Sequence, residues 1–447
     1  MEPNVRKPSQ RELRRRWPVL LACIWCVLAL GVVASAASTP AVSFAGAKTY
    51  TAGEGAASIA LGDLNGDGRP DLATANYTDG TVSVLLNKGD GTFQARHDYT
   101  TGFAPVSVAL GDLNGDGKRD LVTANLWNDT VSVLLNKGDG TFEAKQDYET
   151  GSGPIDVAIG DLDGDGKPDL VTADDESGTV SVFRNKGDGS FEPRRDFETG
   201  AGPDAVEIGD MNGDGKPELV TANGAAATVS VLLNLGAGNF EWSRDYEARD
   251  GFPSLAIGDL NGDGKPDLVV AGDDGLSVFL SREDGSFRPG HDYRAAGPVS
   301  IGDVNGDGRP DLVANGYEGQ GLAVFLNRGD GSFQAGIELS PGWESGVAVG
   351  DLNGDGRLDL AAALDGVSVL INTPGLCNVQ QAVNLTLSAA KQALPRGHCR
   401  VGKIGRAYSP WVKKGRVISQ KPRFGAVLPG GGKVNLVISL GPKKRHK

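Results

Sequence analysis

Gly62-Asp63-Leu64-Asn65-Gly66-Asp67-Gly68-Arg69-Pro70-Asp71-Leu72 is the stretch on which the reading of this chain turns. Side-chain oxygens fall at positions 1, 3, 5 and 9 of the nonapeptide that opens at Asp63, and position 7 offers a backbone carbonyl. Gly66 and Gly68 permit the sharp backbone turns that fold these groups around one point. Such an all-oxygen set is what a calcium ion takes.

The nonapeptide occurs seven times. Asp63, Asn65, Asp67, Arg69 and Asp71 form the first set, Asp112, Asn114, Asp116, Lys118 and Asp120 the second, and Asp161, Asp163, Asp165, Lys167 and Asp169 the third. The fourth is Asp210, Asn212, Asp214, Lys216 and Glu218, and the fifth Asp259, Asn261, Asp263, Lys265 and Asp267. Asp303, Asn305, Asp307, Arg309 and Asp311 make the sixth, and Asp351, Asn353, Asp355, Arg357 and Asp359 the seventh. The spacing is that of an EF-hand start without its position-12 Glu, but a strand follows at once, so each loop joins strand to strand. Asp163 at position 3 and Glu218 at position 9 are the departures, and both keep an oxygen ligand. Asp, Asn and Gly also dominate ordinary turns. Seven loops in register, however, gather 22 carboxylates into seven tight clusters that repel one another unless cations neutralise them. Up to seven Ca²⁺ are therefore expected.

The loops recur at steps of 49, 49, 49, 49, 44 and 48 residues. Around the first, Ser58 to Asp63 and Leu72 to Ala75 read as two strands, and Val82 to Leu86 and Phe93 to Tyr99 as two more, separated by turns. Four short strands at a period in the forties cannot bury both sheet faces alone, which predicts blades packed about an axis. The fold class expected over 37–373 is an all-β seven-bladed β-propeller. Repeat seven stops at its third strand, Val367 to Ile371, and Phe44 to Tyr50 matches Phe93 to Tyr99, so residues about 41–50 should supply the outer strand of the last blade. A linear array would leave seven sets of open strand edges.

Glycine, at 66 of 447 residues, is about twice its usual share, but without a three-residue period, and with only 23 prolines, collagen and proline-rich disorder are excluded. The net charge of −13 hides three compartments: +4 over residues 1 to 36, −32 over 37 to 374, and +15 over 375 to 447, where 15 Lys/Arg meet no Asp or Glu. An acidic body repels nucleic acid and anionic membranes. Residues 1–36 read as a signal peptide: Arg11, Arg14, Arg15 and Arg16, an apolar stretch from Val19 to Val33, and Ala34-Ser35-Ala36 as the cleavage site. The apolar stretch falls short of the roughly 20 residues that span a bilayer, so no membrane span is expected in the mature chain. Cys23 and Cys26 leave with the signal, and Cys377 and Cys399 remain as one pair, expected as a disulfide.

The repeat resembles the FG-GAP/VCBS family and is similar to the calcium-loop blades of the integrin alpha-subunit head. That resemblance implies calcium loops on one face and partners bound on the other. Loops of the opposite face carry Tyr77, Phe103, Trp127, Phe252, Tyr317 and Trp343, expected to plug gaps between blades. After a linker at 374–375 comes a small α+β domain, 376–442, with a helix from about Thr386 to Leu394, strands around Val417 to Gln420 and Val434 to Ser439, and a basic end at 443–447. Gly415 to Pro442 resembles the PASTA module of penicillin-binding proteins and their sensor kinases, with Gln380 where proline is usual and Asn384 where glycine is usual. The resemblance implies peptidoglycan or its fragments as partner.

His97, His291, His398 and His446 are scattered and no G-x-S-x-G, HExxH or phosphate loop occurs, so no catalytic set emerges. The expectation is a secreted, non-enzymatic calcium-binding propeller that serves as a platform for an unknown protein or glycan, tethered to the bacterial cell wall by its tail. A calcium-dependent lectin acting through the opposite face is the alternative, and a hydrolase or lyase the third reading.

Overall fold

The computed structural model describes residues 42–248, 254–273, 275–316, 321–339, 345–364, 366–373, 377–378, 381–396, 400–424, 426–428 and 433–443. The expected signal, the linker, Cys399, Phe252, Tyr317 and Trp343 lie outside the described residues.

Each repeat forms one four-stranded antiparallel sheet, and there are seven. In blade one Ala56–Gly62, Asp71–Asn76, Thr81–Leu85 and His97–Thr100 pair in chain order. The hairpin register is the same throughout: the glycine ending the inner strand faces position 9 of the acidic loop, Gly62 against Asp71 and Gly209 against Glu218. Second strands such as Leu121 to Ala124 are wholly buried because blades cover both faces, and they read as continuous small apolar runs. No helix among the described residues is long and apolar enough to cross a membrane.

Blade seven is completed from the other end of the chain. Lys48–Tyr50 pairs with Val367–Leu370, Lys48 opposite Val369 and Tyr50 opposite Val367. Phe44 adds a bridge to Asn372. Blade seven in turn touches blade one, where Ser345 Oγ donates to the Ala56 carbonyl.

Edge-on aromatic pairs join neighbouring blades. Tyr50 of blade seven meets Phe93 of blade one with ring centroids 5.4 Å apart, Tyr99 meets Phe142 at 5.1 Å and Tyr148 meets Phe191 at 5.3 Å. Such pairs contribute about 0.5–1.5 kcal/mol each beyond their buried area. The outer strand of blade one departs from the expected one. Phe93 turns inward as an isolated bridge to Asn87, and the strand proper starts only at His97. In blades four and five the outer strand does run through, as Asn239–Glu247 and Phe287–Tyr293.

In the tail the helix Leu387–Arg396 is capped by Thr386, whose Oγ1 accepts the Ala389 N–H at 3.2 Å. Ala390 and Leu394 pack onto Val417, Val434, Leu436 and Ile438 of a three-stranded sheet. Its order is Arg400–Ala407, Lys433–Ser439, Val417–Lys421, with the first pair parallel. The strand Arg400–Ala407 was not expected, since Gly402 and Gly405 mask its alternation. Asn384 adopts φ 69°, the left-handed region that glycine favours and asparagine tolerates.

Candidate metal centre

Loop one shows how the nonapeptide folds. Asp63 Oδ1 accepts the Gly66 N–H at 2.8 Å and its Oδ2 the Gly68 N–H at 2.7 Å, with Gly66 and Gly68 at φ 76° and 80°. Asn65 Oδ1 accepts from Asp67 N–H at 2.9 Å, and Asp67 Oδ1 from Arg69 N–H at 3.0 Å. Each side chain holds the backbone two to five residues on, so the loop is wound around its own oxygens. Asp71 sits beneath them, fully buried, accepting the Leu64 N–H at 2.9 Å and the Asn87 N–H at 2.7 Å.

The other loops repeat this. Asp112, Asp161, Asp210, Asp259, Asp303 and Asp351 each accept the N–H five residues on at 2.7–2.9 Å. In loop four the longer Glu218 accepts the equivalent Met211 N–H at 2.9 Å and, in addition, Asn212 Nδ2 at 2.9 Å. In loop three, oxygens of Asp161, Asp163 and Asp169 lie within 4.8 Å of one another. An all-oxygen donor set drawn together by glycine-turned backbone fits a hard divalent cation. At position 7 the side chains turn back on their loops, Lys118 Nζ onto Asp116 at 2.9 Å and Lys167 Nζ onto Asp165 at 2.7 Å.

Burial is the main force on the position-9 carboxylates. It pushes Asp71, Asp120, Asp169, Asp311 and Asp359 up to about 6 against the relief of their backbone N–H donors, and the loop's other carboxylates add to the rise. Asp267 and Glu218 are raised for the same reason.

A group that the sequence reading passed over binds these loops together. Asn87 donates Nδ2 to the Pro70 carbonyl of its own loop and to the Leu352 carbonyl of loop seven, both at 2.9 Å. Asn136, Asn185, Asn234, Asn327 and Asn372 do likewise, each reaching the position-2 carbonyl of the preceding loop. The signal was present: an asparagine recurs 24 residues after the loop's first Asp in five of the repeats, inside what reads as a turn. Blade five has Ser281 there, and its hydroxyl reaches only Asp267 Oδ1, at 3.3 Å. A crevice of about 370 Å³ lies at that junction, lined by Asp210, Met211, Lys265 and Arg282 among others.

On the opposite side, Phe103 and Trp127 are 49% and 51% exposed, so they do not plug gaps as expected. Trp127 Nε1 donates to Tyr77 Oη at 2.8 Å, fixing an aromatic patch on blades one and two. Two acidic residues outside the loops lie on neighbouring inner strands. Asp156 accepts from Ser107 Oγ at 2.8 Å and from the Val206 N–H at 3.0 Å, which ties three blades. Burial, with the Asp156 carboxylate added to it, pushes Glu207 up to about 8.

Comparison with known proteins bears on both parts of the chain. FG-GAP-like repeats match at 63–123, 112–172, 161–221, 210–270, 259–314 and 303–362, and a PASTA domain at 378–440. A probable serine/threonine-protein kinase of Clostridium acetobutylicum is 41% identical over 61 residues, which are 14% of this chain and 9% of that protein, so this chain spans less than a tenth of that relative. The solved structure of BBS1N in complex with ARL6DN superposes with a TM-score of 0.53 at 13% identity, covering 74% of this chain and 96% of that one. An Agrocybe aegerita lectin specific for non-reducing terminal N-acetylglucosamine gives a TM-score of 0.46 at 22% identity, covering 69% and 85%.

Proposed function

This chain belongs to the FG-GAP-like repeat family and carries a PASTA domain, and on that premise we propose a secreted, non-enzymatic calcium-binding protein held at a bacterial cell wall. The propeller is the platform that engages a protein or glycan partner, and the tail is the anchor. The observation that carries the calcium part is the repetition of one all-oxygen donor set in seven loops, each wound around its position-1 carboxylate. Seven Ca²⁺ would bring the body from −32 to about −18, so much of its self-repulsion is relieved and the surface stays acidic. The anchor rests on the PASTA match, because PASTA domains typically bind peptidoglycan, and on a tail with 15 Lys/Arg and no acid. A Cys377–Cys399 disulfide belongs to the same reading, and two reactive thiols in the oxidised protein would refute it.

The test is a pull-down from cell envelope with the full chain and with variants altered in the loops or in the tail, in calcium and in chelator. Retention on insoluble peptidoglycan that depends on the tail, together with a calcium-dependent partner on the propeller, is the expected result. Absence of retention at any salt concentration overturns the wall reading. The exposed Phe103 and Trp127, with Tyr77 bonded to Trp127, favour one second reading, a calcium-dependent lectin, since half-exposed aromatic faces held in place stack on sugar rings. A glycan array separates the two: a saturable sugar on the array favours the lectin.

A further inference from the structure

After the third strand of blade three the chain carries Arg184, where blades one, two and four carry Leu86, Leu135 and Leu233. Leu86 and Leu135 lie against Gly140 and Gly189 of the following blade. The Arg184 stem runs the same way, its Cδ set against Gly238, but the guanidinium turns back onto the acidic loop of its own blade. Nη1 meets Asp163 Oδ2 at 3.4 Å, Nη2 pairs with Glu192, and Nε is buried with no hydrogen-bond partner among the described residues.

Loop three is also the loop with a carboxylate at position 3, so two departures from the repeat meet in one contact. In loops four, five and seven the position-3 asparagine donates Nδ2 to the position-9 carboxylate, at 2.9 Å from Asn212 to Glu218, 3.4 Å from Asn261 to Asp267 and 3.2 Å from Asn353 to Asp359. Asp163 has no proton to give. Loop three therefore holds four carboxylates where its neighbours hold three, and the guanidinium that Arg184 shares between Asp163 and Glu192 places a cation against the extra one. We propose that Arg184 is a positioning residue that offsets the extra carboxylate Asp163 and so sets the calcium affinity of loop three level with the other six. This rests on the calcium reading above.

The measurement is metal occupancy at each loop in crystals equilibrated across a calcium series, with the other six loops as internal references. In Arg184→Leu, which installs the residue of blades one, two and four, half-filling of loop three is expected at about three- to tenfold lower calcium, the size of a screened unit-charge interaction at a partly buried site. Arg184→Lys keeps the charge and should fill as the wild type does. Asp163→Asn alone should move loop three to higher calcium, and the double variant Asp163→Asn with Arg184→Leu should return it to the level of its neighbours. If Arg184→Leu leaves loop three unchanged, or shifts it upward, while the other six loops fill, the role given to Arg184 is wrong and the calcium reading stands. If no loop of the wild type fills, both fall.

Discussion

Asn136 of blade two donates its side-chain amide to the Leu64 carbonyl of blade one at 2.9 Å, so this acidic loop is tied to the blade that follows it as well as to its own, as are all the loops but the fourth. The same amide satisfies the Arg119 carbonyl at 2.8 Å, and its oxygen accepts the Gly138 N–H at 2.7 Å. Removing it leaves three buried or half-buried backbone groups without partners. Asn136→Ala is expected to cost about 2–4 kcal/mol, given about 1–3 kcal/mol for each buried group left unpaired and some repair by water. Ser281→Asn should do the reverse, supplying the amide that blade five lacks and raising the melting temperature. Thermal unfolding of both variants checks this pair of opposite signs.

Calcium and pH should act together on stability. Asp71, Asp120, Asp169, Asp311 and Asp359 titrate near 6 in the metal-free fold against an ordinary 3.8, so the folded chain holds those protons more tightly. The sign follows: the contribution of these carboxyls to metal-free stability is full below about pH 3.8 and is lost as pH rises through about 6. With 1 mM Ca²⁺ and extracellular-type dissociation constants of about 0.1–1 mM, seven sites add roughly 3–10 kcal/mol at neutral pH. Acid then displaces the metal, and the trend reverses. Melting curves at pH 5 and pH 7.5, in chelator and in calcium, should therefore slope in opposite directions. A melting temperature indifferent to chelator at pH 7.5 would sink the prediction.

Glu207 sits where the other inner strands carry Ala60, Ala109, Ala158, Ala256, Ser300 or Ala348. Burial holds its carboxyl at about 8, far above its ordinary 4.5, so ionising it opposes folding between those values. Glu207→Gln should raise the melting temperature at pH 8.5 and change little at pH 5. Equal effects at both values would mean that packing, and not ionisation, is responsible.

Trp411 is 91% exposed, yet its loop is not loose. Ser409 Oγ accepts the Val412 N–H at 3.0 Å, and Ser439 Oγ donates to the Val412 carbonyl at 2.6 Å. An exposed indole on a braced loop beside Lys413, Lys414 and Arg416 is suited to stacking on a ring of an anionic polymer. Trp411→Ala should lower retention on peptidoglycan several-fold even at 1 M salt, where the Debye length is about 3 Å and simple charge attraction is screened. Retention that vanishes in 1 M salt for the wild type itself would reduce the tail to a polybasic contact.

Much of the fold was legible because it is repeated. A single Asp-Leu-Asn-Gly-Asp-Gly is a turn, whereas seven at near-constant spacing fix strand number, blade number and the partner of the strand at Lys48. The site's donors were legible for the same reason. What stayed hidden depends on contacts between repeats. Asn87 reads as a turn residue until Leu352, 265 positions away, is seen to face it. Arg184 reads as a surface cation until Asp163 is brought beneath it. Phe93 reads as part of the outer strand, whereas it makes only an isolated bridge to Asn87 and meets Tyr50 of another blade edge-on. In the tail, Arg400–Ala407 escaped because its glycines blur the two-residue period on which strand recognition depends.

The pairing of Lys48 with Val369 brings together residues about 320 positions apart, and it dictates an order of events. A chain emerging from its N-terminus can assemble blades one to six as each is completed, since their strands are consecutive. Blade seven has to wait, because its outer strand is made first and its other three last. Until Val367–Leu370 appears, the segment at Lys48–Tyr50 has no sheet to join, and the first and last blades each present an uncovered flank. Truncation anywhere before Val367 therefore removes the strand that Lys48–Tyr50 pairs with and strands that segment at the far end of the sequence.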